Sequence, residues 1–166
     1  SAVFPPEPVV SSKLSFDLAS ALSLNNKVTV LCPKPTRPYG FYFGTTGRIP
    51  NGKIDLVEMK SYTCPQSSFI GRLRENFSFG KATANYINKY NKEIDVVYAD
   101  TWPLFAQYFI VRAAARYNLP IVIHVQDIYP ESLGNKLVFL SEIFNFVFLP
   151  IDKYILEYAK WLKTDY

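Results

Sequence analysis

Apolar positions along this chain follow two rhythms, and the alternation between them predicts its elements. Lys27-Val28-Thr29-Val30-Leu31-Cys32, Ile54 to Met59, Asp95-Val96-Val97-Tyr98-Ala99 and Leu119-Pro120-Ile121-Val122-Ile123 are short apolar runs rich in β-branched residues, the mark of buried strands. Ser1-Ala2-Val3-Phe4 reads as the tail of a further strand that lacks its beginning. Between them the spacing becomes helical. Leu14, Leu18 and Leu22 recur four residues apart and are expected to face a sheet, after a start capped by Ser11 or Ser12 and before an end at Asn25-Asn26. Ile70, Leu73, Phe77, Ala84 and Ile87 predict a helix over about 67–90. A helix opened by Pro103 and capped by Asp100-Thr101 is expected to bury Leu104, Phe105, Tyr108, Phe109 and Ala113 and to run to about Tyr117. The last part reads as two helices, Leu137–Leu149 and Ile151–Lys160, parted by Pro150.

Strands alternating with helices imply crossover units and a mostly parallel sheet, hence the α/β class. With 166 residues, no internal repeat and no internal linker, residues 1–166 are expected to form one domain. The long connection Pro33 to Lys53 is rich in proline and glycine. It carries Lys34, Arg37, Arg48 and Lys53 and no acid, so it reads as a solvated connection or as a lid over an anionic substrate.

Composition narrows the function classes. Hydrophobic residues at 49% and aromatics at 16% exclude a disordered chain. A net charge of +4 suits an anionic partner such as a nucleotide sugar, a lipid phosphate or an anionic membrane surface. No Lys/Arg stripe marks a nucleic-acid footprint, so no nucleic-acid partner is expected. Cys32 and Cys64 fit no metal spacing and are expected to be reduced thiols of a cytoplasmic protein. No run of apolar residues is long enough to cross a membrane. Leu137–Leu149, apolar except for Ser141, Glu142 and Asn145, is either a buried helix or one that meets a partner domain or the membrane interface. Lys136, Lys153, Lys160 and Lys163 near it would suit anionic headgroups.

Several chemistries are ruled out by missing motifs. There is no G-x-G-x-x-G after the first strand and no G-x-x-x-x-G-K-[ST], which argues against a dinucleotide-dependent dehydrogenase and a P-loop NTPase. One histidine and scattered cysteines do not make a zinc site, and no G-x-S-x-G supplies a nucleophile elbow. What remains are polar groups that follow strands, where parallel sheets gather their ligands. Glu7, Ser11, Ser12 and Lys13 follow the first strand, Asp100 and Trp102 the fourth, and His124, Asp127, Tyr129 and Glu131 the fifth. The imidazole and the two acids behind it can handle a proton or bind a sugar. Each also has a plainer reading. His124 reads equally as a hydrogen-bonded residue at a strand end, Asp127 and Glu131 as helix caps, Trp102 as packing, and Ser11-Ser12-Lys13 as a capped helix start.

Five segments in order carry a resemblance: Phe4-Pro5-Pro6-Glu7-Pro8, Val28-Thr29-Val30-Leu31, Ser61-Tyr62-Thr63-Cys64-Pro65, Val97-Tyr98-Ala99-Asp100-Thr101-Trp102-Pro103, and His124 through Leu133. Together they resemble the N-terminal domain of family 4 glycosyltransferases of the GT-B fold, most closely bacterial enzymes that build capsule or O-antigen units on a polyprenyl carrier. The resemblance implies a Rossmann-like three-layer α/β/α domain, the acceptor-side half of a two-domain enzyme. It implies a retaining transfer from a nucleotide-sugar donor to a lipid-linked saccharide acceptor, with no metal and no other cofactor, at the inner face of the plasma membrane. The family's E-x7-E element belongs to the second, donor-binding half; no glutamate pair here has that spacing, so that half is expected to be absent and the isolated domain inactive. By the same resemblance His124 contacts the transferred sugar, and Asp127 orients His124 or binds the acceptor hydroxyl. Glu131 is a further candidate for that work, with Tyr129 beside it. Glu7, Ser11, Ser12 and Lys13 line the acceptor and phosphate side, and Asp100 and Trp102 form the adjoining wall. Val10-Ser11-Ser12 stands where the family often has glycine, which weighs against direct diphosphate contact there. The rival readings are a stand-alone binding or regulatory module and one half of a nucleotide-sugar epimerase.

Overall fold

The computed structural model describes residues 1–36, 38, 43, 54–64, 68–100, 103–124 and 141–160. The described elements run α1 (Val10–Leu22), β1 (Val28–Pro33), β2 (Ile54–Met59), α2 (Phe69–Tyr90), a 3-10 turn (Asn91–Glu93), β3 (Val97–Asp100), α3 (Leu104–Arg116), β4 (Ile121–His124) and α4 (Ser141–Lys160). The protein is α/β. Its described strands form two small parallel sheets, β1 with β2 and β3 with β4. By contacts the chain divides into two compact units, Ser1–Ala82 and Thr83–Tyr166.

In the first unit Val28 pairs with Ile54 and the register runs without a slip to Pro33 and Met59. Val30, Cys32 and Ile54 are buried with Phe4 and Ala19, and Phe16, Val28 and Leu56 pack against them. Residues 1–4 are not assigned as a strand, contrary to the sequence expectation, although the Ser1 nitrogen donates to Leu31 O at 2.9 Å. The Pro5–Pro6 peptide bond is cis.

Helix α1 departs from its reading in two ways. Its N-cap residue is Val9, with no side-chain cap, so neither Ser11 nor Ser12 caps it; both lie inside the helix. Its buried side carries Ser12 and Ala19, with Phe16 packed between them in sequence, whereas Leu14 and Leu22 are exposed. Small side chains let a helix backbone lie close to its sheet. Spacing alone does not say which of two helical stripes turns inward.

Ser68 caps α2: its Oγ accepts from the Gly71 N–H at 3.2 Å, satisfying one of the open donors of a first turn. A Cβ on Gly71 would fall inside van der Waals contact of Cys64 Sγ and Ser68 Oγ, so only glycine allows that approach. The buried positions of α2 include Glu75, Asn76, Phe79, Thr83 and Ile87; Ile70 and Phe77, which share its apolar spacing, are exposed.

The second unit is a β3–α3–β4 crossover with α4 packed on it. Val97, Ala99, Ile121 and Ile123 alternate onto one sheet face, where they meet Leu104, Val111 and Ala114 of α3 and Ile155 of α4. Truncating a side chain as buried as Ile155, 1% exposed, costs about 2–5 kcal/mol in such cores. Helix α3 begins after Pro103, whose carbonyl accepts from Gln107 N at 3.0 Å; Asp100 ends β3 and does not cap the helix. Leu104 and Ala113 are buried as expected, while Phe105, Tyr108 and Phe109 are only half-buried. The helix closes by a Schellman arrangement. Asn118 takes φ 53°, Leu119 N–H reaches back to Ala114 O at 3.0 Å, and Asn118 N–H to Ala115 O at 3.2 Å.

One helix, α4, replaces the two expected on either side of Pro150. An interior proline forfeits a hydrogen bond and costs about 3 kcal/mol. Beyond it Ile151, Ile155 and Tyr158 pack onto the core, and Tyr158 Oη donates to Leu119 O at 3.4 Å, which offsets that cost. Before it Phe146 is 84% exposed and Leu149 is exposed too, so the helix is not buried all round. Among the described residues no helix is long and apolar enough to cross a membrane.

Candidate functional site

The site begins with strand register. Parallel pairing of β3 and β4 runs from Val97 with Ile121 to Asp100 with His124, so the two polar residues close neighbouring strands side by side. Alternation then fixes their face. Ala99 and Ile123 turn into the core, which leaves Tyr98, Asp100, Val122 and His124 on the opposite face. There Tyr98 and Val122 are exposed.

His124 Nδ1 stands 3.6 Å from Asp100 Oδ1. The carboxylate is the more enclosed partner, with its side chain 14% exposed against 38% for the imidazole. When Nδ1, the nitrogen nearer the carboxylate, carries the ring proton, Nε2 is the acceptor. The Tyr98 ring lies 6.1 Å from the His124 ring, inclined at 48°. Burial first, and then the nearby charge of Asp100, raise the Tyr98 phenol above its ordinary pKa, so it stays a neutral donor. The group therefore offers an imidazole, a carboxylate 3.6 Å from its Nδ1, and an aromatic face. That set can hydrogen-bond a hydroxyl-rich ligand and exchange a proton with it.

Glu7 and the start of α1 belong to the other unit. Glu7 is buried at 7% exposure, and its Oε1 accepts the Thr36 N–H at 2.7 Å. Ser12 is 1% exposed, and its Oγ has no hydrogen-bond partner among the described residues. Ser11 is half-buried and Lys13 exposed. Of the sequence-derived candidates the structure thus pairs Asp100 with His124 and places Glu7, Ser11, Ser12 and Lys13 around one helix start. Trp102, Asp127, Tyr129 and Glu131 lie outside the described residues, as does most of the basic connection from Pro33 to Lys53.

The sequence reading gave Asp127 as orienting His124 or binding the acceptor hydroxyl, a role that lies outside the described residues, and did not single out Tyr98. The signal was present: Tyr98 precedes Asp100 by one strand period, and each apolar run ends in one polar residue. Cys32 and Cys64 are free thiols, as expected, and both are buried. Among the described residues no group of three or more His, Cys, Asp or Glu side chains is arranged to hold a metal ion. No protein-family model matches the chain, and no curated protein or solved structure matches it.

Proposed function

We propose that this chain is the acceptor-side, Rossmann-like domain of a retaining glycosyltransferase, in which a nucleotide-sugar donor gives its sugar to a lipid-linked saccharide in cell-surface polysaccharide synthesis. The observation that carries the reading is the Asp100–His124 pair at the carboxyl ends of two parallel strands, the edge at which open α/β sheets bind their ligands. The ordered segments that resemble family 4 glycosyltransferases support it, and the parallel crossover β3–α3–β4 is compatible with a three-layer domain.

In this reading the sugar leaves its nucleotide diphosphate and the acceptor hydroxyl takes its place at the anomeric carbon. His124 Nε2 holds a hydroxyl of the transferred sugar, with Asp100 fixing the ring. Asp127 and Glu131 serve the acceptor hydroxyl, Trp102 and Tyr129 the sugar faces, and Glu7, Ser11, Ser12 and Lys13 the acceptor and phosphate side. Donor binding falls to a second α/β domain with an E-x7-E element. The enzyme works as a peripheral protein at the inner face of the plasma membrane.

The test is glycosyl transfer by the protein extended through its second domain, comparing wild type with His124→Ala. Loss of more than about tenfold in kcat/KM, the equivalent of about 1.4 kcal/mol, supports the role. Activity within about threefold of wild type sinks it. A gene that stops near Tyr166, with no second domain, favours a stand-alone binding module.

A further inference from the structure

The outer side of α2 in the Ser1–Ala82 unit combines exposed hydrocarbon with positive charge. Ile70 is 78% exposed and Phe77 44% exposed, and Arg74 and Lys81 are exposed between and beyond them. The spacing 70, 74, 77, 81 sets these residues on one side of the helix. The Arg74 guanidinium lies over the Tyr62 ring, 4.4 Å from its centre, and the Lys81 ammonium over the Phe77 ring at 4.8 Å. Tyr62 is fixed to the same helix, since its N–H donates to Ser78 Oγ at 2.8 Å. The only carboxylate of α2, Glu75, is buried and bonded to Arg72 at 2.7 Å, so it does not offset the outward cations.

A cation on an aromatic face is attracted by the ring quadrupole and keeps its charge, so charge and hydrocarbon are held side by side here. Beside them an isoleucine in water gains only by entering hydrocarbon, at roughly 25 cal/mol per Å² removed from water. A nucleic acid would reward the cations and the rings but gives Ile70 nothing. An anionic bilayer rewards all of them: headgroups take Arg74 and Lys81, and the interface takes Ile70, Phe77 and Tyr62.

We infer that this side of α2, with Tyr62, docks on an anionic lipid surface. The inference deepens the lipid-linked acceptor assignment and rests on it for its biological setting, and its test contains no sugar, so either can fail without the other. The 166-residue chain is sedimented with phosphatidylcholine vesicles, with and without phosphatidylglycerol, at low salt. Wild type is expected to bind the phosphatidylglycerol vesicles. Arg74→Glu/Lys81→Glu, and the milder Arg74→Gln/Lys81→Gln, are expected to bind about tenfold or more weakly. Ile70→Ser/Phe77→Ser is expected to lower binding that survives added salt. These exposed substitutions should leave the circular dichroism spectrum unchanged. Equal binding by wild type and both charge variants overturns the inference, and so does equal recovery on neutral and anionic vesicles. Capture by a single-stranded oligonucleotide but not by vesicles overturns it as well.

Discussion

The Asp100 carboxylate and the His124 imidazole face each other at 3.6 Å because the two residues are register partners at the ends of neighbouring parallel strands. A one-residue slip would send one of them to the core face, so the pair depends on β3 and β4 keeping their alignment. The buried side chains Ala99 and Ile121 hold that alignment from the other face.

If Asp100 acts through His124, it is a positioning residue and Asp100→Asn has a specific signature. The amide can present either its oxygen or its NH2 to Nδ1, so the preference for a proton on Nδ1 weakens. Nitrogen-15 shifts of the His124 ring are expected to move toward a mixture of tautomers, with transfer lowered about tenfold and melting little changed. A ring spectrum like that of wild type would argue that the carboxylate does not orient the imidazole.

Ser12 gives a prediction about stability. Its hydroxyl is buried inside α1 with no partner among the described residues, and an unsatisfied buried polar group costs about 1–3 kcal/mol. Alanine also prefers a helix interior. Ser12→Ala should therefore raise the midpoint of denaturant unfolding, by roughly 1 kcal/mol of stability. If Ser12 serves an acceptor phosphate, the same variant binds that ligand more weakly while being the more stable protein. A destabilised variant would mean the hydroxyl is satisfied after all.

Asn118 occupies the left-handed region at φ 53° to close α3. Asn118→Ala should cost about 1–2 kcal/mol, because a Cβ without a local polar partner is disfavoured there. Asn118→Gly should be close to neutral, since glycine adopts that conformation without strain. Urea titrations of both variants check the order; an alanine variant as stable as the glycine one would refute the strain argument.

Cys32 predicts a pH dependence. Burial, helped by Glu58 and Glu7 and opposed by the amino terminus, pushes its thiol up to about 11 from an ordinary value of 9.0. The folded state keeps the proton that the unfolded state gives up. This contribution is therefore fully present below about pH 9 and is lost as pH rises toward 11, on the order of 2 kcal/mol in all. Cys32→Ala removes that component, so the gap in stability between wild type and variant should narrow from pH 8.5 to pH 11, roughly the interval between the two values. A constant gap across that interval would show that the thiol titrates normally.

Much of the scaffold was legible because strands and helices leave different periods in a sequence. The runs at Val28, Ile54, Val97 and Ile121 are strands, the helix expected over about 67–90 runs Phe69–Tyr90, and the next helix begins directly after Pro103. Orientation was less legible. Leu14 and Leu22 of α1 are more apolar than its Ser12–Ala19 side, yet they are exposed, since closeness of approach and not hydropathy decides which side meets the sheet. Pro150 was read as a break because the rule concerns local backbone geometry, and packing of Ile151 and Ile155 overrides it.

By itself, the sequence determined the α/β class, the parallel pairing implied by alternating elements, and the position of the one histidine at a strand end, all of which follow from local periodicity and composition. Only tertiary structure decided that Asp100 is the acid beside His124 and that Tyr98 shares their face. The two strands are separated by a whole helix, and nothing local to either one encodes which residues of the other stand opposite. That choice is made by register, which the buried faces of β3 and β4 fix together.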